Sequence, residues 1–187
     1  MAKITESALR NAALAHLARF AATEAGLRQV LGNRIRRWAR EAETEGQEPD
    51  AIAAATAAAK QHAAAIAARL VEAGAVDDAG FALARARRLL GSGRSARAAL
   101  AHLAAKGVSG ETAREALAHE DMPDELTSAV ILCRKRRFGG FAAAEPEPKL
   151  RKKWLGTLAR AGFSGEIAQR ALALSRDEAE ELLTAAR

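Results

Sequence analysis

A register repeated at a fixed distance constrains this chain more than any other feature. Sliding the sequence by 55 residues lays 97–117 over 152–172, and ten of the 21 aligned pairs are identical. Among them are Leu103/Leu158, Gly107/Gly162, Ser109/Ser164, Gly110/Gly165 and Glu111/Glu166. An Ala-rich chain matches Ala with Ala by chance, but chance does not align a Gly-x-Ser-Gly-Glu register. The motif has a physical reading. Gly takes the left-handed conformation that closes a helix, and the apolar residue behind it folds back on the last turn. Ser then caps the next helix, with Glu in its positive first turn. Self-similarity of this kind marks a tandem array of supersecondary units.

The same punctuation recurs elsewhere. Gly74 is a third helix stop, Asp77 caps a helix over 78–90, Pro123 suits the first turn of another, and Ser175 with Glu178 forms a capping box. Upstream of the repeat, an offset of 49 brings Arg85, Arg87 and Arg88 onto Arg134, Arg136 and Arg137, and Gly91 onto Gly140. The change of offset by six predicts a six-residue insertion between Gly140 and Lys152, where Pro146 and Pro148 mark a loop. No stretch alternates as an exposed strand does. The expected fold is all-α, with tandem three-helix repeats in an elongated, curved arrangement. The expected domains are a degraded N-terminal repeat over 1–49, a long connecting helix over 50–76, a central repeat over 77–121, and a C-terminal repeat with a terminal helix over 122–187. In the first of these, Leu27, Val30 and Leu31 echo Leu100 and Leu103.

Little in the sequence points to catalysis. The four histidines, His16, His62, His102 and His119, include no i, i+4 pair of the helical metal-site type and read as exposed helix residues. No phosphate-binding Gly-x-x-x-x-Gly-Lys loop occurs, and Gly91, Ser92 and Gly93 read as a tight connection between helices. The single Cys133 reads as a buried apolar residue, and it fits a reducing compartment. No catalytic residue, metal or cofactor is expected. Residues 1–4 lack the apolar core of a signal peptide, and no membrane span is predicted, so the expected location is the cytoplasm.

The charge is informative. The chain holds 29 Lys and Arg against 23 Asp and Glu, with a formal net charge of +6. Its arginines are clustered, which suits a polyanion. Residues 79–110 contain no acid. On a helical wheel Ala82, Leu83, Ala86, Leu89 and Leu90 share one arc, leaving Arg85, Arg87 and Arg88 beside the core face. Arg94 and Arg97 follow. The second copy presents Arg134, Arg136 and Arg137, with Lys135 among them, and then Lys152 and Lys153. All of these but Lys135, ten in number, are the expected partner-binding and DNA-binding set. Arg34, Arg36, Arg37 and Arg40 make a third cluster. Asn and Gln are scarce in these clusters and no aromatic stripe accompanies them, so the expected DNA contact is weak, non-specific and made to phosphates.

Several runs resemble the RecX family. They are 74–85 (Gly-Ala-Val-Asp-Asp-Ala-Gly-Phe-Ala-Leu-Ala-Arg), 91–97 (Gly-Ser-Gly-Arg-Ser-Ala-Arg), 103–108 (Leu-Ala-Ala-Lys-Gly-Val), and 134–139 (Arg-Lys-Arg-Arg-Phe-Gly) followed by Gly162, Phe163 and Ser164. The resemblance covers about 66–174. It implies a non-catalytic regulator of the RecA recombinase, with a place in DNA repair, homologous recombination and the SOS response. Such proteins lie in the groove of a RecA filament on DNA and usually restrain its activities. A monomer that binds the filament is therefore expected. The competing expectation is a stand-alone DNA-binding protein of helix-turn-helix type, with 109–119 as recognition helix.

Overall fold

A computed structural model describes residues 4–185; the first three residues of the stretch read for targeting lie outside the described residues. The described residues form α1 (Glu6–Leu17), α2 (Glu24–Thr44), α3 (Pro49–Glu72), α4 (Asp78–Leu90), α5 (Ala96–Ala105), α6 (Gly110–Leu117), α7 (Glu125–Arg136), α8 (Pro148–Arg160), α9 (Gly165–Ala173) and α10 (Arg176–Ala185), with a short 3-10 turn at Gly139–Phe141. No strand occurs among them. The fold is all-helical, and its helices fall into three successive triplets followed by α10.

The stops and caps act as their residue types dictate. Gly74, Gly107 and Gly162 take φ of 68°, 79° and 103°, where a side chain is disfavoured. The Asp77 carboxylate accepts from Gly80 N–H at 2.9 Å, opening α4. Ser109 and Ser164 accept from Thr112 and Ile167 N–H groups at 3.1 and 3.2 Å. Ser175 and Glu178 exchange reciprocal bonds, so the capping box is complete. Hydrogen bonds from the Ser175 hydroxyl and backbone hold the Glu178 carboxyl below its ordinary range.

The chain divides into two compact units. The first comprises residues 1–81 and 106–108. Here α3 does more than connect: it packs along α2 and α1. Leu9 and Ala13, Leu27, Leu31 and Ile35, and Ala59, Ala63, Ile66 and Ala67 form its core, with Val76. The Thr23 hydroxyl accepts from Gly26 N–H at 2.9 Å and donates to the Lys106 carbonyl at 2.6 Å. The first amide of α2, Glu24 N–H, donates to Asp78 Oδ1 at 2.8 Å.

The second unit comprises residues 82–105 and 109–187. Its larger core gathers Ala129, Val130 and Cys133 of α7, Trp154 and Leu158 of α8, Phe163, Ala168, Ala171 and Leu172, and Ala179 and Leu183 of α10. Phe138 stacks on Trp154 with centroids 5.1 Å apart. A second capping node has the same form as the one in the first unit. The Ser95 hydroxyl accepts from Ala98 N–H at 3.1 Å and donates to the Ala161 carbonyl at 3.1 Å. The first amide of α5, Ala96 N–H, donates to Glu125 Oε2 at 2.9 Å.

This recurrence corrects the expected register of α4 against α7. Asp77 and Asp124 are both N-caps, Asp78 and Glu125 both cap a neighbouring helix, and the pairs Ala82/Ala129 and Ala86/Cys133 are buried. All four pairs lie 47 positions apart, not 49. An exposed run of arginines tolerates sliding, whereas caps and buried positions do not. Arg87 therefore matches Arg134, Arg88 matches Lys135, Gly91 no longer matches Gly140, and the insertion grows to eight residues. Pro123 precedes the N-cap Asp124 rather than sitting in the first turn. His16, His62 and His102 are half-buried rather than exposed, and His119 alone of the four is exposed.

Candidate functional site

Within the second unit, the connection after α4 is pressed onto α7. Gly93 has φ of 84°, and a Cβ there would come within 2.9 Å of Leu132 N and 3.0 Å of its Cα. Only glycine lets the loop backbone lie this close. The Ser92 carbonyl then faces Lys135, whose Nζ donates to it at 3.0 Å. On the other side Ser95 holds the Ala161 carbonyl at the end of α8. The loop, α7 and the end of α8 thus enclose an open groove of about 470 Å³.

Four cationic side chains line that groove: Arg94 from the loop, Lys135 and Arg136 from α7, and Arg160 from α8. No acidic side chain lines it. Arg160 Nη2 donates to the Thr157 hydroxyl at 3.2 Å, which steadies the guanidinium at the rim. Arg94 and Arg136 are exposed and engage no partner among the described residues. Guanidinium forks match the paired oxygens of phosphate or carboxylate, and a cleft of one sign of charge concentrates counter-charge. Chemically, the arrangement suits an anionic group.

The structure sorts the ten sequence-predicted residues. Arg94 and Arg136 enter the groove. Arg85 is half-buried and its Nε donates to His102 Nε2 at 2.9 Å, so part of its fork is engaged. Arg87 pairs with Asp121 at 2.9 Å, beside Glu120 and Asp124, in an acidic setting. Arg88, Arg97, Arg134, Arg137, Lys152 and Lys153 are exposed, and none of them lines the groove. Arg137 closes α7 with φ of 57°, a left-handed conformation unusual for a side-chain-bearing residue. Lys135 stood in the sequence cluster but outside the predicted set. Arg160 was missed altogether; its only signal is its place in the last turn before the Gly162 stop.

Cys133 is buried among apolar residues of α7 and α8, and burial pushes its thiol up to about 12. A neutral thiol is neither nucleophile nor ligand. Among the described residues no helix is long and apolar enough to cross a membrane.

No protein-family model matches the chain. Curated relatives do. A "Regulatory protein RecX" of Myxococcus xanthus is 35% identical over 174 residues, covering 91% of this chain and 87% of the relative. A second, from Agrobacterium fabrum, is 36% identical over 110 residues, covering 59% of this chain and 58% of the relative. The crystal structure of RecX from Lactobacillus salivarius superimposes with a TM-score of 0.54 at 16% identity, over 89% of this chain and 94% of that one. That last likeness concerns the fold.

Proposed function

The chain belongs to the RecX family of regulatory proteins, and we propose that it is a non-catalytic negative modulator of the RecA recombinase. It acts as a monomer that binds the RecA filament on DNA through a basic helical-repeat surface. The observation that carries this reading is the groove itself, where Arg94, Lys135, Arg136 and Arg160 converge without an acid. Its ligand is an anionic group presented by the filament, either a DNA phosphate or a carboxylate of RecA. Arg88, Arg97, Arg134, Arg137, Lys152 and Lys153 extend the positive field around it.

Phosphate contacts alone give non-specific affinities on the order of 10⁻⁴ to 10⁻⁶ M at physiological salt. Protein contacts within the filament add to this, so filament affinity exceeds affinity for bare DNA. The test is capture of RecA by the immobilised chain with and without DNA and ATP analogue. Capture that rises when the filament forms supports the reading, and capture indifferent to DNA contradicts it. The helix-turn-helix alternative gains nothing from α6. That helix has eight residues and exposes Glu111 and Glu115 beside Arg114, a poor face for an anionic duplex.

A further inference from the structure

We propose that the outward face of α2 is a separate duplex-DNA site, a helix face built to lie in the major groove. α2 belongs wholly to the first unit, and the site is independent of the groove described above.

The placement follows from the helix period. α2 buries Leu27, Leu31, Ile35 and Ala42 against α3 and α1. At about 100° per residue the opposite side carries Gln29, Asn33, Arg36 and Arg40, with Arg37 beside them. All five are exposed. In the sequence the arginines stand out as a cluster in which amides are scarce; folding puts the two amides on one stripe with them. From Gln29 to Arg40 the stripe rises about 16 Å at 1.5 Å per residue, long enough to follow a groove past several base pairs. Asn33 Oδ1 accepts from Arg36 Nη2, which holds the amide and the guanidinium side by side and leaves the Asn33 amide nitrogen to donate. Arg37 and Arg40 have no ion-pair partner among the described residues.

The chemistry selects the partner. Arg reads guanine with two hydrogen bonds, Asn and Gln read adenine in the same manner, and Arg also holds phosphates. An acidic protein surface offers only acceptors, so it would engage the arginines and the amide nitrogens and leave the amide oxygens unmatched, whereas a base edge offers donor and acceptor together. Duplex RNA is disfavoured because its major groove is too deep and narrow for a helix. Single strands call for exposed aromatic platforms, and Trp38 lies on the packed side of α2. Gly32 gives an independent sign. Glycine inside a helix lowers its stability, and here a Cβ would meet only the Arg36 guanidinium at 3.6 Å, an ordinary contact. Internal packing does not require glycine at the border of the stripe, whereas close approach of a partner does.

The test uses the full chain with Arg94, Lys135, Arg136 and Arg160 replaced by Ala, so that the other basic site is silent and no RecA is present. Anisotropy of a short labelled DNA duplex reports binding, with single-stranded DNA and duplex RNA of the same sequence as comparisons. Binding to the DNA duplex ahead of both comparisons is expected. Adding Arg36→Ala and Arg40→Ala should weaken it at least about tenfold and reduce the salt slope by about two. Adding Gln29→Ala and Asn33→Ala instead should narrow the spread of affinities among duplex sequences and leave the salt slope unchanged. Circular dichroism confirms that each variant is folded. Absence of duplex binding, equal or tighter binding of either comparison, an arginine variant that binds like its parent, or an unchanged spread in the amide variant would each overturn the proposal.

Discussion

The Ser95 hydroxyl donates to the carbonyl oxygen of Ala161 at 3.1 Å, and the next residue, Gly162, has no room for a side chain because of it. A Cβ on Gly162 would lie 2.0 Å from Ser95 Oγ. This contact fixes the floor of the basic groove, since it ties the loop after α4 to the end of α8.

Gly74 also has positive φ, at 68°, but a Cβ there meets nothing within 4 Å. Gly74→Ala should cost about 1 kcal/mol, the backbone strain alone. Gly162→Ala adds a clash with Ser95 and should cost about 3 kcal/mol. Denaturant melts of the two variants check this, and equal losses would refute the packing argument.

The corresponding node in the first unit makes a second prediction. Thr23 is buried and its hydroxyl both caps α2 and satisfies the Lys106 carbonyl. Thr23→Val keeps the shape and removes both bonds, at a cost of about 2 kcal/mol. Thr23→Ser keeps both and should cost less than half as much. The ranking, read by urea denaturation, fails if Ser is no better than Val.

Cys133 gives the chain an alkaline weakness. Its folded pKa is raised from 9.0 to about 12. A thiol raised in this way contributes its full stability below the unfolded pKa, and that contribution is lost as pH rises from 9.0 toward 12. The chain has no Tyr to titrate in the same range. Stability should therefore fall between pH 9 and 11 more steeply in the parent than in Cys133→Ala. Parallel curves would show that the thiol is not held neutral by burial.

The fold was legible where short-range chemistry decides it. Gly74, Gly107 and Gly162 act as stops, Asp77, Ser109, Ser164 and Ser175 as caps, and Ala82, Ala86 and Leu90 as the inner face of α4. The register of α7 was not legible. That helix buries Thr127, Ser128, Ala129, Val130 and Cys133, so it shows no clear stripe, and its exposed Arg run matches best at an offset of 49 that the caps and buried positions do not share. Composition can also mislead outright. Ala-Leu-Ala-His-Leu-Ala occurs at 13–18 and at 99–104, yet one copy ends the first helix of its triplet and the other lies in the second helix. One of the four groove cations was out of reach for a similar reason. Arg94, Lys135 and Arg136 announced themselves as members of basic runs, but Arg160 joins them only through the contact of Ser95 with Ala161, 66 positions apart.

On the proposed function, the four groove cations carry the action on RecA. The direct measurement is the ATPase rate of DNA-bound RecA, titrated with the parent chain and with Arg94, Lys135, Arg136 and Arg160 all changed to Glu. A control with the same charge change elsewhere, at Arg10, Lys60, Arg114 and Arg170, separates the site from net charge. The parent and the control should restrain the ATPase, and the folded groove variant should do so at least about tenfold less effectively, equivalent to about 1.4 kcal/mol of lost binding. A folded groove variant that restrains RecA as strongly as the parent, or a parent without effect on RecA at any concentration, would contradict it.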